Sequence, residues 1–343
     1  MGSFNRLNSE DVSISTDKVV SNTWSGDTDI LLTHLTSSNT VFTSATSQGN
    51  FFIEVYGSST ITSATPVEYA VSYGHKTGLG SENFTNVSGA LGNTATKCIY
   101  NQYRQLVFGD ENSEFTFNGV VSNDIYVINI NRARYKHALK PGSLNLEISD
   151  GSNLTKLTDD SITTTGSSTI TNLGRQYNLV SGSDGSMSGS TLNQSGPGSG
   201  SYGFVYPEAG IIVLNGLALR GRNATSAAYW VEGSTYTAQK LGQKIQTAIS
   251  RSSNFQLDSE EKISSQYHFV RIKNSEYNYS SNPSYIDANG NLNNTTFTDS
   301  PVTYVTTVGL YNDDNNLLAV AKLSQPLKKD FTTEALLRIK LDY

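Results

Sequence analysis

The chain has 343 residues, 16% of them charged, with a formal net charge of −6 and a pI of about 5.3. In soluble proteins, about a quarter of all residues are usually charged. The negative charge disfavours a nucleic-acid partner, which requires a basic face, and the sequence has no run of 18 apolar residues that predicts a membrane span. The abundance of Ser, Thr, Asn, Gly, Tyr and Phe instead favours β structure with many turns.

Cysteine content and the N-terminal residues indicate the compartment. Cys98 is the only cysteine, so no internal disulfide framework forms and we expect folding in a reducing cytoplasm. The first residues, 1–6, lack the apolar core of a secretory signal. We therefore expect synthesis and assembly in the cytoplasm.

The first half of the chain begins with a polar stretch, 1–50, that predicts an N-terminal arm. Within it, 27–35 is either one or two helical turns capped by Asp27 or a segment that docks on a neighbouring subunit. Residues 51–180 predict a β-rich domain with one helix. Alternating or apolar runs predict its strands at 51–56, 67–73, 124–130 and 144–148. An apolar face predicts its helix at 96–108, capped by Gly109.

The second half begins with 181–203, a Gly/Ser-rich stretch that predicts a flexible loop or linker. Residues 204–343 predict a C-terminal α+β domain. Its strands are expected at 204–206, 210–215 and 266–273, and its clearest helix at 237–250. A tyrosine-rich loop, 274–300, precedes three runs, 302–311, 317–323 and 335–343, that predict a three-stranded meander. The expected fold class is therefore β-rich α+β, with antiparallel sheets and one or two short helices.

Motifs for catalysis or cofactor binding are weak in this sequence. The Gly/Ser stretch has no phosphate-binding spacing, and Met187 holds the serine position of a nucleophile elbow. No two of the four histidines stand at metal-ligand spacing, and we expect neither a metal nor a cofactor. His75, in a glycine-flanked loop, is the one histidine to test for chemistry. An enzyme such as a depolymerase would need converging carboxylates, for which Glu54, Glu68 and Glu147 are candidates.

Several stretches resemble a known group of proteins. They are 125–136 (IYVININRARYK), 267–283 (YHFVRIKNSEYNYSSNP), 304–312 (YVTTVGLYN) and 318–326 (LAVAKLSQP). Together they resemble virion structural proteins of large bacteriophages with contractile tails. The resemblance implies a non-enzymatic virion subunit, and we expect it in the tail or baseplate, where it acts by protein–protein assembly. It implies no catalytic residue.

The expected partners are other virion structural proteins, in multiple copies of a symmetric assembly, without nucleic acid or membrane. Tyr and Arg are enriched at interface hot spots, so the candidate partner contacts are Arg132, Arg134, Tyr277, Tyr279 and Tyr285. A neck or head-associated virion subunit is one alternative. The other is a carbohydrate- or receptor-binding module of the tail, for which the candidate stacking platforms are Trp24, Tyr202 and Trp230.

Overall fold

The structure is a computed structural model that describes residues 4–31, 36–37, 52–81, 95–163, 168–188, 201–221, 224–233 and 236–342. These residues form a β-rich α+β fold, which confirms the predicted class. The strands are β1 Val12–Asn22, β2 Ile30–Leu31, β3 Thr36–Ser37, β4 Ile53–Tyr56, β5 Val67–His75, β6 Thr116–Phe117, β7 Val120–Val121, β8 Asp124–Ile130, β9 Ala138–Leu139, β10 Asn145–Ser149, β11 Leu154–Asp159, β12 Thr169–Thr171, β13 Gly174–Ser183, β14 Ser186–Met187, β15 Gly203–Tyr206, β16 Ile211–Asn215, β17 Phe255–Gln256, β18 Asp258–Ile272, β19 Thr303–Tyr311, β20 Leu317–Lys329 and β21 Ala335–Asp342. The α-helices are α1 Ala95–Phe108, α2 Gly216–Arg220, α3 Ala224–Tyr229 and α4 Ala238–Ser252.

The chain divides into two compact units. Unit 1 comprises Met1–Lys18 and Lys262–Tyr343, and unit 2 comprises Val19–Glu261. The sequence composition predicted a division into 1–50, 51–180, 181–203 and 204–343. The contacts between residues instead group the chain into units 1 and 2. One sheet of unit 2 takes strands from both sides of 181–203, because β13 pairs with β15.

The large sheet of unit 2 has the strand order β2-β17-β10-β11-β13-β15-β16-β8-β5-β4-β3, and its neighbours pair antiparallel. Alternate residues of a strand point to opposite faces. On β8, Tyr126 and Ile128 belong to one apolar core cluster, and Ile125 and Val127 to another. Both faces of this strand are therefore buried, as its nearly continuous apolar run predicted.

Each face of the sheet is covered by a helix that the sequence predicted. Leu241 and Ile245 of α4 join the first cluster, and Tyr103 and Val107 of α1 join the second. The Thr237 hydroxyl caps α4 by accepting from the Lys240 N–H at 3.4 Å. Both helices occupy the predicted positions to within two residues.

Unit 1 contains a sheet with the strand order β1-β18-β21 and a separate two-stranded ribbon, β19–β20. β21 pairs with β18 from Ser265↔Asp342 to Ile272↔Ala335. The three C-terminal strands exist as predicted, but they do not form a three-stranded meander, because the third leaves the ribbon for β18. In β20, four residues including Pro326 form a bulge opposite Thr306. Proline is tolerated there because a bulge residue need not donate its N–H to the ladder.

The described residues near the N-terminus and in the Gly/Ser stretch contain strands that the sequence did not predict. The predicted arm contains β1, which pairs with β18, and Asp27 lies in a turn before strand β2 rather than capping a helix; 32–35 and 38–50 lie outside the described residues. At the start of 181–203, β13 and β14 form a hairpin whose turn residues Asp184 and Gly185 both have positive φ, 51° and 70°. Asp-Gly favours such a turn. The remainder of that loop, 189–200, lies outside the described residues.

A buried ion pair joins β8 to α2 inside unit 2. Asp124 is fully buried and accepts from both terminal nitrogens of Arg220, at 2.6 and 2.7 Å. The Tyr73 hydroxyl donates to the same carboxylate at 3.3 Å. A side chain at Gly216 would collide with this carboxylate, so the close approach of α2 requires glycine.

Arg220→Ala should destabilise unit 2 by about 3–5 kcal/mol, because it leaves the Asp124 charge buried and unpaired. Urea unfolding followed by tryptophan fluorescence measures this, since both tryptophans lie in the core of unit 2. The double variant Arg220→Met with Asp124→Asn has no buried charge at this site. It should therefore recover most of the stability that Arg220→Ala loses. An equal loss in both variants would contradict the account.

Asp159 is a second buried carboxylate, at the end of β11. Its Oδ1 accepts from the Gly142 and Ser161 N–H groups at 3.0 and 3.1 Å, which holds the two turns together. Burial nevertheless raises the pKa of Asp159 above its ordinary value of 3.8. The exposed Asp110 has a pKa shift of the opposite sign. Hydrogen bonds from the Asn112 N–H and the Ser113 hydroxyl lower the pKa of Asp110.

The pH dependence of stability should therefore differ in sign between these two acids. As pH rises, Asp159 loses its proton at a lower pH in the unfolded chain than in the folded chain. Stability is therefore lost between pH 3.8 and the raised pKa of the folded state, by about 1.4 kcal/mol for each unit by which the pKa is raised. The free energy of unfolding of the wild type minus that of Asp159→Asn should therefore decrease as pH rises across that window. Wild type minus Asp110→Asn should instead fall as pH decreases through the lowered pKa of Asp110. Parallel urea series from pH 3 to 8 on both variants check this, and equal slopes would refute it.

Candidate functional site

Unit 1 has few buried apolar side chains. In its described residues these are Ile272, Tyr285 and Ile339, and every other buried apolar side chain of the described chain belongs to unit 2. Neither of the two core clusters includes a residue of unit 1. Burial of apolar area is the main stabilising term in folding. Unit 1 therefore has little of the interior that stabilises unit 2.

Five exposed apolar side chains of unit 1 lie on the β19–β20 ribbon, and others, such as Phe4, Ile14, Phe331 and Leu336, lie elsewhere in the unit. The exposed apolar side chains of the ribbon, which we call the ribbon surface, are Tyr304, Tyr311, Leu317, Leu318 and Val320. Leu318 is 69% exposed and Val320 57% exposed. In the described residues no further strand pairs with either edge of the ribbon. A two-stranded ribbon in water is only marginally stable on its own, and its free edges are templates for a further strand.

The register explains how the ribbon surface is built. Gly309 stands opposite Val320, and Tyr311 stands opposite Leu317. A Cβ atom on Gly309 would lie 2.9 Å from the Tyr311 ring and 3.2 Å from Leu317, so these two side chains cover the glycine. Tyr311 and Leu317 therefore lie together beside Val320, whereas the exposed pair Thr307 and Lys322 separates this group from Tyr304.

The tyrosine-rich loop next to the ribbon is held by Lys329. This lysine is fully buried, and its Nζ donates to the Asn274 carbonyl, the Asn278 side chain and the Asp330 carbonyl at 2.7 to 2.8 Å. Such charge-assisted bonds are strong ones. They fix the start of the loop at the end of β20.

The three candidate tyrosines of this loop have different exposures. Tyr277 is 39% exposed and Tyr279 is 58% exposed, which leaves both available to a partner. Tyr285 is only 8% exposed, because it stacks on Phe297 with ring centroids 5.1 Å apart. Tyr285 therefore supports the loop, and little of it remains for the partner contact that the sequence predicted.

The two candidate arginines lie in unit 2, in the short 3-10 helix Arg132–Arg134 that follows β8. The Asn131 side chain caps this turn by accepting from the Ala133 N–H at 3.0 Å. Arg132 is exposed and its guanidinium lies 4.5 Å from the centre of the Tyr135 ring. Arg134 is half-buried, and its Nε is shielded from water without a hydrogen-bond partner.

Arg134 lines an open cavity of about 280 Å³, which we call the arginine cavity. One wall is the segment 21–27 and the other is 133–136, with Ser259 between them. The Trp24 ring fixes the first wall, because its Nε1 donates to the Phe255 carbonyl at 2.9 Å. Next to Trp24 in this wall, the Ser25 N–H and hydroxyl both donate to the buried Glu68 carboxylate. The sequence singled out Arg134 as a partner contact and Trp24 as a stacking platform, but gave no signal that the two residues line one cavity.

His75 is the last residue of β5 rather than a loop residue, and it is buried. Its Nδ1 accepts from the Thr77 N–H at 3.1 Å, so its Nε2 carries the proton donated to Glu232 at 2.7 Å. Both ring nitrogens are therefore engaged within the chain, as suits a side chain that holds the end of β5.

The carboxylates considered for catalysis are engaged within the chain, and the rings considered for sugar stacking are buried. Glu54 accepts from Tyr56, Glu68 from Ser25, and Glu147 pairs with Lys156. The candidate platforms, Trp24, Tyr202 and Trp230, are each at most 3% exposed and belong to the core of unit 2. None of those three rings presents a face for a sugar.

Two further searches cover the described part of the chain. No group of three or more His, Cys, Asp or Glu side chains there has the arrangement of a metal site. No helix among these residues is both long and apolar enough to cross a bilayer.

Comparison of the chain with protein-family models, with curated proteins and with solved structures finds no match.

Proposed function

We propose that this chain is a structural subunit of a virus particle and acts by protein–protein assembly rather than by catalysis. The single observation that carries the proposal is the contrast in burial between the units. Unit 2 has a complete interior, whereas the described part of unit 1 buries three apolar side chains and exposes the ribbon surface. Large exposed apolar patches mark interaction sites.

The ribbon gives the proposed assembly a physical mode. A strand from a neighbouring chain can pair with a free ribbon edge through backbone hydrogen bonds, while the ribbon surface packs on the same neighbour. Tyr279 and Tyr277, close in sequence to the ribbon and exposed, supply aromatic contact area of the kind that is enriched at hot spots. The ribbon surface carries few charges, so covering it does not require desolvating many ions.

The position in the particle rests on the resemblance to virion proteins of contractile-tailed bacteriophages. Two of the resembling stretches, 304–312 and 318–326, form most of the ribbon. We therefore place the subunit in the tail or baseplate, with other virion structural proteins as its partners. A neck or head-associated position is the alternative, and the mode of assembly would be the same.

Immunogold labelling of intact particles tests the proposal. An antibody against the Asp184–Gly185 hairpin suits this test because that turn lies in unit 2, away from the ribbon in sequence, and is exposed at Asp184. Gold at the tail tip is the expected result, and gold at the neck or head would move the position. Absence of gold from intact and disrupted particles, with an antibody that binds the free chain, would overturn the virion role.

A substitution pair tests the ribbon surface itself. Leu318→Asp with Val320→Asp should leave the free chain folded, since exposed substitutions change stability by about 0.5 kcal/mol or less. The pair should lower incorporation into particles at least about tenfold, because it places two charges in the proposed interface. Complementation followed by quantitative blotting of purified particles measures incorporation.

The matched control uses the same two changes on exposed residues of unit 2. Leu154 is 43% exposed and Val121 is 41% exposed. Leu154→Asp with Val121→Asp should incorporate normally. Equal incorporation of both double variants would show that the ribbon surface is not the interface.

A further inference from the structure

One strand of the unit 1 sheet has an edge that no described strand pairs with. β21 pairs with β18 from Ser265↔Asp342 to Ile272↔Ala335, and it is the last strand of the order β1-β18-β21. An unpaired strand edge presents backbone N–H and C=O groups that can bind a further strand. Leu336 of β21 is also 59% exposed. The outer edge of β21 is therefore a place where a strand of another chain can be added.

One face of this sheet carries two arginines without counterions. Arg271 of β18 stands opposite Leu336, and Arg338 follows Leu336 by two residues, so both guanidiniums lie on the same face. Both arginines are exposed, and neither forms an ion pair with a described carboxylate. The Arg338 guanidinium lies 5.4 Å from the centre of the Tyr267 ring, a contact that does not neutralise its charge. The face beside the free edge of β21 therefore offers two cations to a partner.

A second group of charges on this face is engaged within the chain. Lys340 lies on the same face as Arg338 and pairs with Asp342 at 3.0 Å. This hydrogen bond, together with the Asp17 carboxylate, raises the pKa of Lys340. Because Lys340 already has an acidic partner, Arg271 and Arg338 are the cations that a further acidic group would meet.

The tip of the β19–β20 ribbon carries the opposite charge. Its turn, 312–316, contains Asp313 and Asp314, which are both exposed and form no ion pair with a described cation. The turn is closed by two backbone hydrogen bonds of 3.0 Å, from the Asn315 N–H to the Asn312 carbonyl and from the Asn312 N–H to the Asn316 carbonyl. Two negative charges therefore stand at the end of a ribbon that no further described strand pairs with.

The acidic tip and the arginines do not meet within one copy. The chain enters β21 from the base of the ribbon, where Thr303 stands opposite Lys329, whereas Asp313 and Asp314 lie at the other end. A strand of nine residues, the length of β19, spans about 30 Å. Each copy therefore has two complementary surfaces that only a contact between copies can join.

We propose that unit 1 of one copy binds unit 1 of a second copy head to tail. One edge of the ribbon pairs with the free edge of β21, and the acidic turn 312–316 lies on Arg271 and Arg338. The inference rests on the proposed assembly role of the ribbon and names a second copy of this chain as its partner. Because the two contacting surfaces differ, such contacts form a ring when the rotation between copies closes and an open filament when it does not.

Sedimentation velocity of the full-length chain tests the partner. We expect the wild type to associate as its concentration rises toward about 1 mM, a range that includes weak contacts. Raised salt should weaken the association, because it screens exposed ion pairs. A chain that stays monomeric throughout would overturn the second copy as the partner. The ribbon surface would still be an interface, with another virion protein, if Leu318→Asp with Val320→Asp lowers incorporation into particles.

Charge reversal tests the pairing of the tip with the arginines. The tip variant is Asp313→Arg with Asp314→Arg, and the face variant is Arg271→Glu with Arg338→Glu. Each variant alone has like charges on its tip and its face, so each should associate at least about tenfold more weakly than the wild type. An equimolar mixture of the two variants should associate again, because every tip then finds a face of opposite charge on the other variant.

The matched control changes two exposed acids outside both surfaces. Glu10→Arg with Glu111→Arg alters the net charge by the same amount as the tip variant, and it should associate as the wild type does. The thermal midpoint of every variant should match that of the wild type, because all the substituted side chains are exposed. An equal loss of association in the control, or a mixture of folded variants that fails to associate, would overturn the pairing.

Discussion

The antiparallel sheet of unit 2 buries apolar side chains on both faces, and the rest of the structure depends on this. Alternate residues of β8 belong to two different core clusters, one covered by α4 and the other by α1. A sheet covered by a helix on each face buries apolar side chains on both sides. The described part of unit 1 has no such layer: its ribbon keeps both edges free and most of its apolar side chains in contact with solvent. This difference in burial is the physical basis for proposing assembly as the function.

The interior of unit 2 also positions its polar groups. The core accommodates the Asp124 charge only because Arg220 closes on it from α2. The buried Glu68 carboxylate similarly holds Ser25, and with it the segment that forms one wall of the arginine cavity. The cavity is thus a consequence of how loops are fixed at the edge of a well-packed sheet. Arg134 stands out because the same packing leaves it without a partner.

The sequence predicted those features that depend on neighbours along the chain. The apolar faces of α1 and α4, the continuous apolar run of β8 and the alternation in β19 and β20 are local patterns, and the structure contains all of these elements. Pairing is not local. Nothing in the residues around β21 indicates that it joins β18 instead of β20, because that choice depends on a strand that lies more than 60 residues earlier.

Exposure was equally hard to predict. Trp24, Tyr202 and Trp230 have the side chains of sugar platforms, yet tertiary packing places all three in the core. Tyr279 and Tyr285 have the same chemistry and lie six residues apart, yet only Tyr279 is exposed. The arginine cavity joins segments more than 100 residues apart, so Arg134 was identifiable by residue type alone. The Asp184-Gly185 turn did carry a local signal, but the surrounding Ser/Gly composition outweighed it.

Hydrogen exchange of the free chain and of the chain in assembled particles tests most directly whether unit 1 is completed by a partner. In the free chain, amides of β19 and β20 should exchange much faster than those of β8 and β16. On assembly their exchange should slow by at least about 100-fold, which corresponds to about 2.7 kcal/mol, while β8 and β16 change little. Ribbon amides as well protected in the free chain as those of β8, or unchanged by assembly, would contradict the account.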